Sequence, residues 1–224
     1  MPLGATTFDE LNSLVGYKRS MPYEQFFGEM ELTPAQIRKR IRFAELLEPE
    51  LIEILEILFL TYPRIDPSMV DDLRDKYLSV LEEVGLIASV VAIAGTREER
   101  YAQHAEVFAA EAIDSTAQHA EDPYEYSEDR AMFVAENEAN MIYGTDEFFD
   151  AIDEGCTHKT WITMQDNRVR ESHAEIDGET LPIEEPFFVG GSLMMCPGDD
   201  SMGAGPEELV NCRCVCAYTT EEQI

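Results

Sequence analysis

Between Thr33 and Gly85 the apolar residues recur at intervals of three and four, the period of helices that each bury one face. Thr33-Pro34-Ala35-Gln36 supplies a capping hydroxyl, a proline suited to the first helical position and a glutamine three residues after the cap. Ile37, Ile41 and Ala44 then share a face. A second helix is expected from about Pro49, with Leu51, Ile52, Leu55, Leu58 and Phe59 opposite Glu50, Glu53 and Glu56. A third is expected from Asp66-Pro67 through Val70, Leu73, Tyr77, Val80 and Val84, ending at Gly85. Thr96-Arg97-Glu98-Glu99 forms another capping box and opens an alanine-rich helix through Tyr101, Ala105, Phe108 and Ala112. Ahead of these, residues 1–30 show no clear period and contain Gly4, Gly16, Pro22 and Gly28, so they read as an arm with short turns.

The acidic stretch Asp114 to Glu125, which includes Pro123, interrupts the period and reads as a loop or linker. Ser127 can cap a helix carrying Met132, Phe133, Glu136 and Asn140 and ending near Gly144. Thr145 can cap a short one through Phe148, Phe149 and Ile152, ending at Gly155. Beyond Gly155 the helical period disappears. Thr160 to Thr163 suits a strand, Ile176 to Glu179 a turn, Phe187 to Val189 a short strand and Leu209 to Tyr218 a last one. The expected class is α+β: a helical N-terminal region, residues 1–126, followed by a small α+β C-terminal domain with short strands, residues 127–224.

Charge narrows the partners. With 46 Asp and Glu against 16 Lys and Arg, the formal net charge is −30, which repels phosphate backbones and argues against extensive direct DNA binding. Such a surface either keeps a concentrated protein soluble or docks on a basic partner. The balance is uneven: residues 101–150 hold 13 acidic residues and one basic residue, Arg130, whereas residues 1–50 hold 8 and 6. The early segment therefore offers the best partner contact, with Tyr23, Phe26 and Phe27 as aromatic anchors. The most apolar run, Leu86 to Ala94, is far shorter than the roughly 20 residues a membrane-crossing helix needs and reads as a core segment. No charged start followed by an apolar stretch and a cleavage site opens the chain, so secretion is not expected.

Five cysteines, an odd number placed late in the chain, fit a reducing compartment better than a disulfide framework. His173, Cys212 and Cys214 are candidate zinc ligands, with Asp166, Cys196 or Cys216 as the fourth. Two alternatives stand beside zinc: reduced thiols buried as small apolar groups, and a disulfide from Cys196 to one of the later three. A straight strand would hold alternate residues roughly 7 Å apart, so Cys212 and Cys214 need a kink to share a metal. Asp166 and His173 can also be drawn as an orienting acid and a base, but Arg168 and Arg170 in so acidic a chain are better read as loop-holding partners of carboxylates. Trp161 reads as core, and His104, His119 and His158 as surface residues. Glycine-rich phosphate loops, His-Glu-x-x-His and Gly-x-Ser-x-Gly are absent.

Across Ala131 to Tyr218 the chain carries, in order, Ala135-Glu-Asn-Glu-Ala-Asn140, Lys159-Thr-Trp161, Asp166-Asn-Arg-Val-Arg-Glu-Ser-His173, Asp177-Gly178, Pro197-Gly-Asp199 and Asn211-Cys-Arg-Cys214. This ordered set resembles the phage Mu F-like minor head protein family. The piece Pro22 to Thr33 also looks like the start of minor head proteins in some tailed phages. The resemblance implies a structural minor head (minor capsid) protein without turnover, recruited with the portal protein and other head proteins and acting in head assembly or genome ejection. It implies a place in the virion, inside or beside the head, after assembly in the host cytoplasm. Two alternatives are a packaged effector or zinc-dependent enzyme, and an acidic adaptor docking on a basic cellular protein. Family members are thought of as contacting packaged DNA, a role the charge of −30 opposes.

Overall fold

In the computed structural model, residues 7–16, 21–87 and 96–220 are described. They form eight α-helices and five strands: α1 (Phe8–Val15), α2 (Tyr23–Gly28), α3 (Pro34–Thr61), α4 (Ser68–Glu83), α5 (Arg97–Gln118), α6 (Glu128–Asp153), β1 (His158–Ile162), α7 (Glu171–Ala174), β2 (Thr180–Pro182), β3 (Phe187–Val189), β4 (Ser192–Met194), α8 (Pro206–Leu209) and β5 (Val215–Thr219). The class is α+β, with most of the helix in the N-terminal part and the short antiparallel strands in the C-terminal part. Among the described residues no helix is long and apolar enough to cross a membrane.

The chain divides into two compact units, residues 1–22 with 41–136, and residues 23–40 with 137–224. In the first unit, Phe43, Tyr77 and Phe108 meet edge-on or tilted, and Phe8, Phe59 and Tyr126 form a second aromatic contact. His104, expected at the surface, lies among these rings, 5.8 Å from Tyr77. In the second unit β1 pairs antiparallel with β2 and β5, and β3 with β4. Trp161, Phe187, Val189, Met194, Cys212 and Cys214 build the core of that unit.

Local signals located several boundaries. Thr33 accepts from Gln36 N and Gln36 accepts from Thr33 N, closing the capping box; Thr96 accepts from Glu99 N and Ser127 from Arg130 N. Two expected breaks did not occur. Helix α3 runs through Pro49, because Phe43, Ala44 and Leu47 before it and Leu51, Ile54, Leu55, Leu58 and Phe59 after it are all buried. That burial outweighs the roughly 3 kcal/mol an interior proline costs. Helix α6 runs through Gly144, whose missing side chain is used for packing: a Cβ there would stand 3.2 Å from the Pro197 carbonyl.

The acidic stretch expected as a linker is largely structured. Helix α5 continues to Gln118, and Asp122 caps a single 3-10 turn, Pro123–Tyr126, whose Tyr124, Glu125 and Tyr126 are buried. Residues 7–30, expected as an arm, contain α1 and α2. The last strand begins at Val215, not near Leu209, which closes α8. Of the apolar run Leu86 to Ala94, only Leu86 and Ile87 fall within the described residues.

Candidate metal centre

Asn211-Cys-Arg-Cys214 forms a bent loop between α8 and β5. Asn211, immediately ahead of the two cysteines, adopts a left-handed backbone (φ 60°). Two asparagines on α6, three residues apart and hence on one face, hold this loop. Asn137 Oδ1 accepts from Asn211 N, and Asn140 Nδ2 donates to Cys212 O at 2.9 Å. Arg213 is buried and donates to both oxygens of Asp166 at 2.7 and 2.8 Å. That guanidinium holds the Asp166 carboxyl down at about 2. Arg168 pairs with Glu29 and lies 3.6 Å from Asp166, while Arg170 donates to the Val210 carbonyl.

The loop's two thiols face His173 from α7. His173 Nδ1 lies 3.4 Å from Cys214 Sγ and 3.6 Å from Cys212 Sγ, and one ligand atom from each residue falls within 4.8 Å of the others. All three side chains are buried. Behind the ring, Nε2 lies 2.9 Å from Glu208 Oε2, which also accepts from Ser172 Oγ at 2.8 Å. Trp161 stands edge-on to the imidazole, 5.4 Å between centroids. Cys214 donates to Cys212, and this contact, opposed by burial and aided by His173, holds the Cys212 thiol well below its ordinary value. The same sharing and burial push Cys214 up. Burial would lower His173, but the Cys212 sulfur and Glu208 together keep it above the usual imidazole value.

Of the fourth-ligand candidates, none joins this cluster. Asp166 is committed to Arg213, Cys196 packs with Phe148, Ala151 and Ile183, and Cys216 packs against the same group from β5. None of the five cysteines is disulfide-bonded, so the bridge from Cys196 to one of the later three does not form. His173 is oriented by Glu208 rather than by Asp166, so an Asp166–His173 acid–base pair does not exist.

Tyr23, Phe26 and Phe27, expected as docking anchors, are buried within the chain, at 6 %, 2 % and 0 % exposure. Tyr23 and Phe26 both pack on the Phe27 ring. Their apolar area is spent on the chain's own core.

Glu208 and Lys159 were not singled out as site residues. Lys159 is fully buried, donates to Met195 O at 2.7 Å and lies about 5 Å over the Phe148 and Phe187 rings; burial lowers its pKa. Glu208 fits because Gly190, in the β3–β4 turn, has no side chain: a Cβ there would meet Glu208 Oε1 at 1.9 Å. Gly190 and Gly191 both have positive φ, 57° and 95°. Gly190→Ala is therefore expected to cost about 3 kcal/mol in denaturant unfolding, against about 1–2 for Gly191→Ala, whose Cβ meets nothing. Equal losses would contradict this placement of the carboxylate.

Compared with known proteins, a family model described as Phage Mu protein F like protein matches residues 93–217, more than half of the 224 residues. No curated protein and no solved structure matches the chain.

Proposed function

Because the chain belongs to the phage Mu F-like family, whose role is in phage head morphogenesis and is structural rather than enzymatic, we propose that it is a minor head protein that associates with the portal and acts in head assembly or genome ejection. The family match over more than half of the chain carries this reading. The use of the shared motifs supports it. Asn137, Asn140, Asp166, His173 and Trp161 all hold or pack against the Asn211–Cys214 segment or its partners. These groups are spent on one another, and the cavity beside them, lined by Met164, Val169, His173, Asn211 and the two thiols among others, is about the size of one water.

The partner surface that fits the proposal is electrostatic rather than aromatic. A chain at −30 docks on basic faces of head proteins and is repelled by duplex DNA. Co-expressed with the portal subunit, the full-length chain is expected to co-purify at about 0.15 M salt and to be released as screening increases toward 0.5 M. Failure to co-purify at low salt would overturn the portal contact; retention unaffected by salt would overturn its electrostatic basis.

A further inference from the structure

We propose that His173 Nδ1 and the sulfurs of Cys212 and Cys214 bind one zinc ion, with Glu208 as the carboxylate that orients the histidine from behind. The ligand types come first. Two thiolates and an imidazole are a donor set that zinc favours, at about 2.3 Å to sulfur and about 2.05 Å to nitrogen. At a tetrahedral centre those bond lengths place a nitrogen and a sulfur about 3.55 Å apart. The observed separations of the nitrogen from the two sulfurs are 3.4 and 3.6 Å, on either side of that value, and the sulfurs lie within 4.8 Å of one another.

The direction of the ring is the second argument. With its Nε2–H given to Glu208, the imidazole has one lone pair left, on Nδ1. A single lone pair serves one hydrogen-bond donor well, yet two sulfurs converge on it. A cation between the three atoms satisfies all of them. The carboxylate behind the ring is the third argument, since ligating histidines characteristically give their other N–H to a carboxylate or carbonyl. Here that carboxylate is itself fixed by Ser172 and seated in the space left by Gly190.

The ligands are also held in advance. Asn137 and Asn140 grip the loop on either side of the Asn211–Cys212 peptide, and Arg213, between the two cysteines, is tied to Asp166. Among the described residues no fourth His, Cys, Asp or Glu joins the group, so the fourth position goes to a water in the adjoining cavity. The ion links α7 to the start of β5 in a unit whose strands are three to five residues long. It adds a cross-link between α7 and the loop ahead of β5 to the pairing of β1 with β5.

The zinc claim is independent of the head assignment, and its failure would leave that assignment standing. The test uses the full chain, purified without a histidine tag, for zinc analysis and for titration of the metal-depleted protein with Co2+. The expected result is one zinc per chain and a cobalt complex with thiolate charge-transfer absorption. Cys212→Ser should lose both, and Cys156→Ser, distant from the site, should keep both. Glu208→Gln should still bind one metal at saturation, but about 10–100-fold more weakly. If Cys212→Ser does not fold, the Glu208→Gln shift decides. Zinc far below one per chain with no cobalt absorption from folded protein would overturn the proposal, as would a Cys212–Cys214 disulfide leaving three free thiols. Unchanged affinity in Glu208→Gln would overturn the role given to Glu208.

Discussion

Arg40→Ala is expected to destabilise the protein by about 3–4 kcal/mol, the range for breaking a buried ion pair from one side. Arg40 is 1 % exposed and donates to both oxygens of Glu147, at 2.7 and 3.1 Å, and through Nε to Asn140 Oδ1 at 3.1 Å. Truncation leaves Glu147 without its fork and Asn140 without a donor. The Glu147 side chain is 22 % exposed, so water recovers part of its solvation, which places the loss at the lower end of the range. Arg40→Lys should recover less than half, because a single ammonium cannot reproduce the planar two-point contact. The damage should reach the cysteine loop, since Asn140 also holds Cys212 O. Hydrogen exchange at Asn211 to Cys214 is expected to accelerate in Arg40→Ala; a stability loss below about 1 kcal/mol with unchanged exchange would contradict this chain of contacts.

Glu136→Gln is expected to raise stability at pH 8 by about 3–5 kcal/mol and to change it little at pH 5. Glu136 is 1 % exposed; burial, with a smaller contribution from Asp129, pushes its pKa up to about 8, against a hydrogen bond from the Met21 backbone. Its Oε2 has no partner. A carboxyl whose folded pKa lies above the unfolded value of about 4.5 binds more protons in the folded state between those two values. Stability then falls as pH rises from about 4.5 to about 8, at about 1.4 kcal/mol per unit, and levels off above. Glutamine removes that dependence. The check is thermal or urea unfolding of both proteins across pH 5 to 9: curves that converge at low pH support the account, and curves that stay parallel contradict it.

The legible parts of this fold were those decided within a few residues. The Thr33–Gln36, Thr96–Glu99 and Ser127–Arg130 caps form between neighbours, and Phe187 to Val189 is a strand as its residues suggest. Pro49 and Gly144 misled because tertiary packing overrode local preference: a continuous buried face carries α3 past its proline, and the approach of the Pro197 carbonyl gives Gly144 a use other than ending a helix. Tyr23, Phe26 and Phe27 misled for a related reason, since apolar side chains in a glycine-bearing segment serve an internal core as readily as a partner.

At the site, His173, Cys212 and Cys214 stood out because few residues of those types exist in the chain. Glu208 did not, being one carboxylate among 46 acidic residues; only the fold brings it behind His173. Arg40 was hidden in the same way, its partners lying 100 and 107 residues further along the chain. The Asn137 and Asn140 pair left a usable signal. Two amide side chains three apart on one helical face are suited to gripping a neighbouring backbone, and the loop they hold is the one that carries the cysteines.

The central claim, that the chain is a structural component of a phage head, is tested most directly by quantitative mass spectrometry of purified virions, with copy number measured against the portal subunit. The account predicts a low, reproducible, nonzero number of copies per particle that stays with the head fraction when tails are removed. Complete absence from heads and mature virions would contradict it.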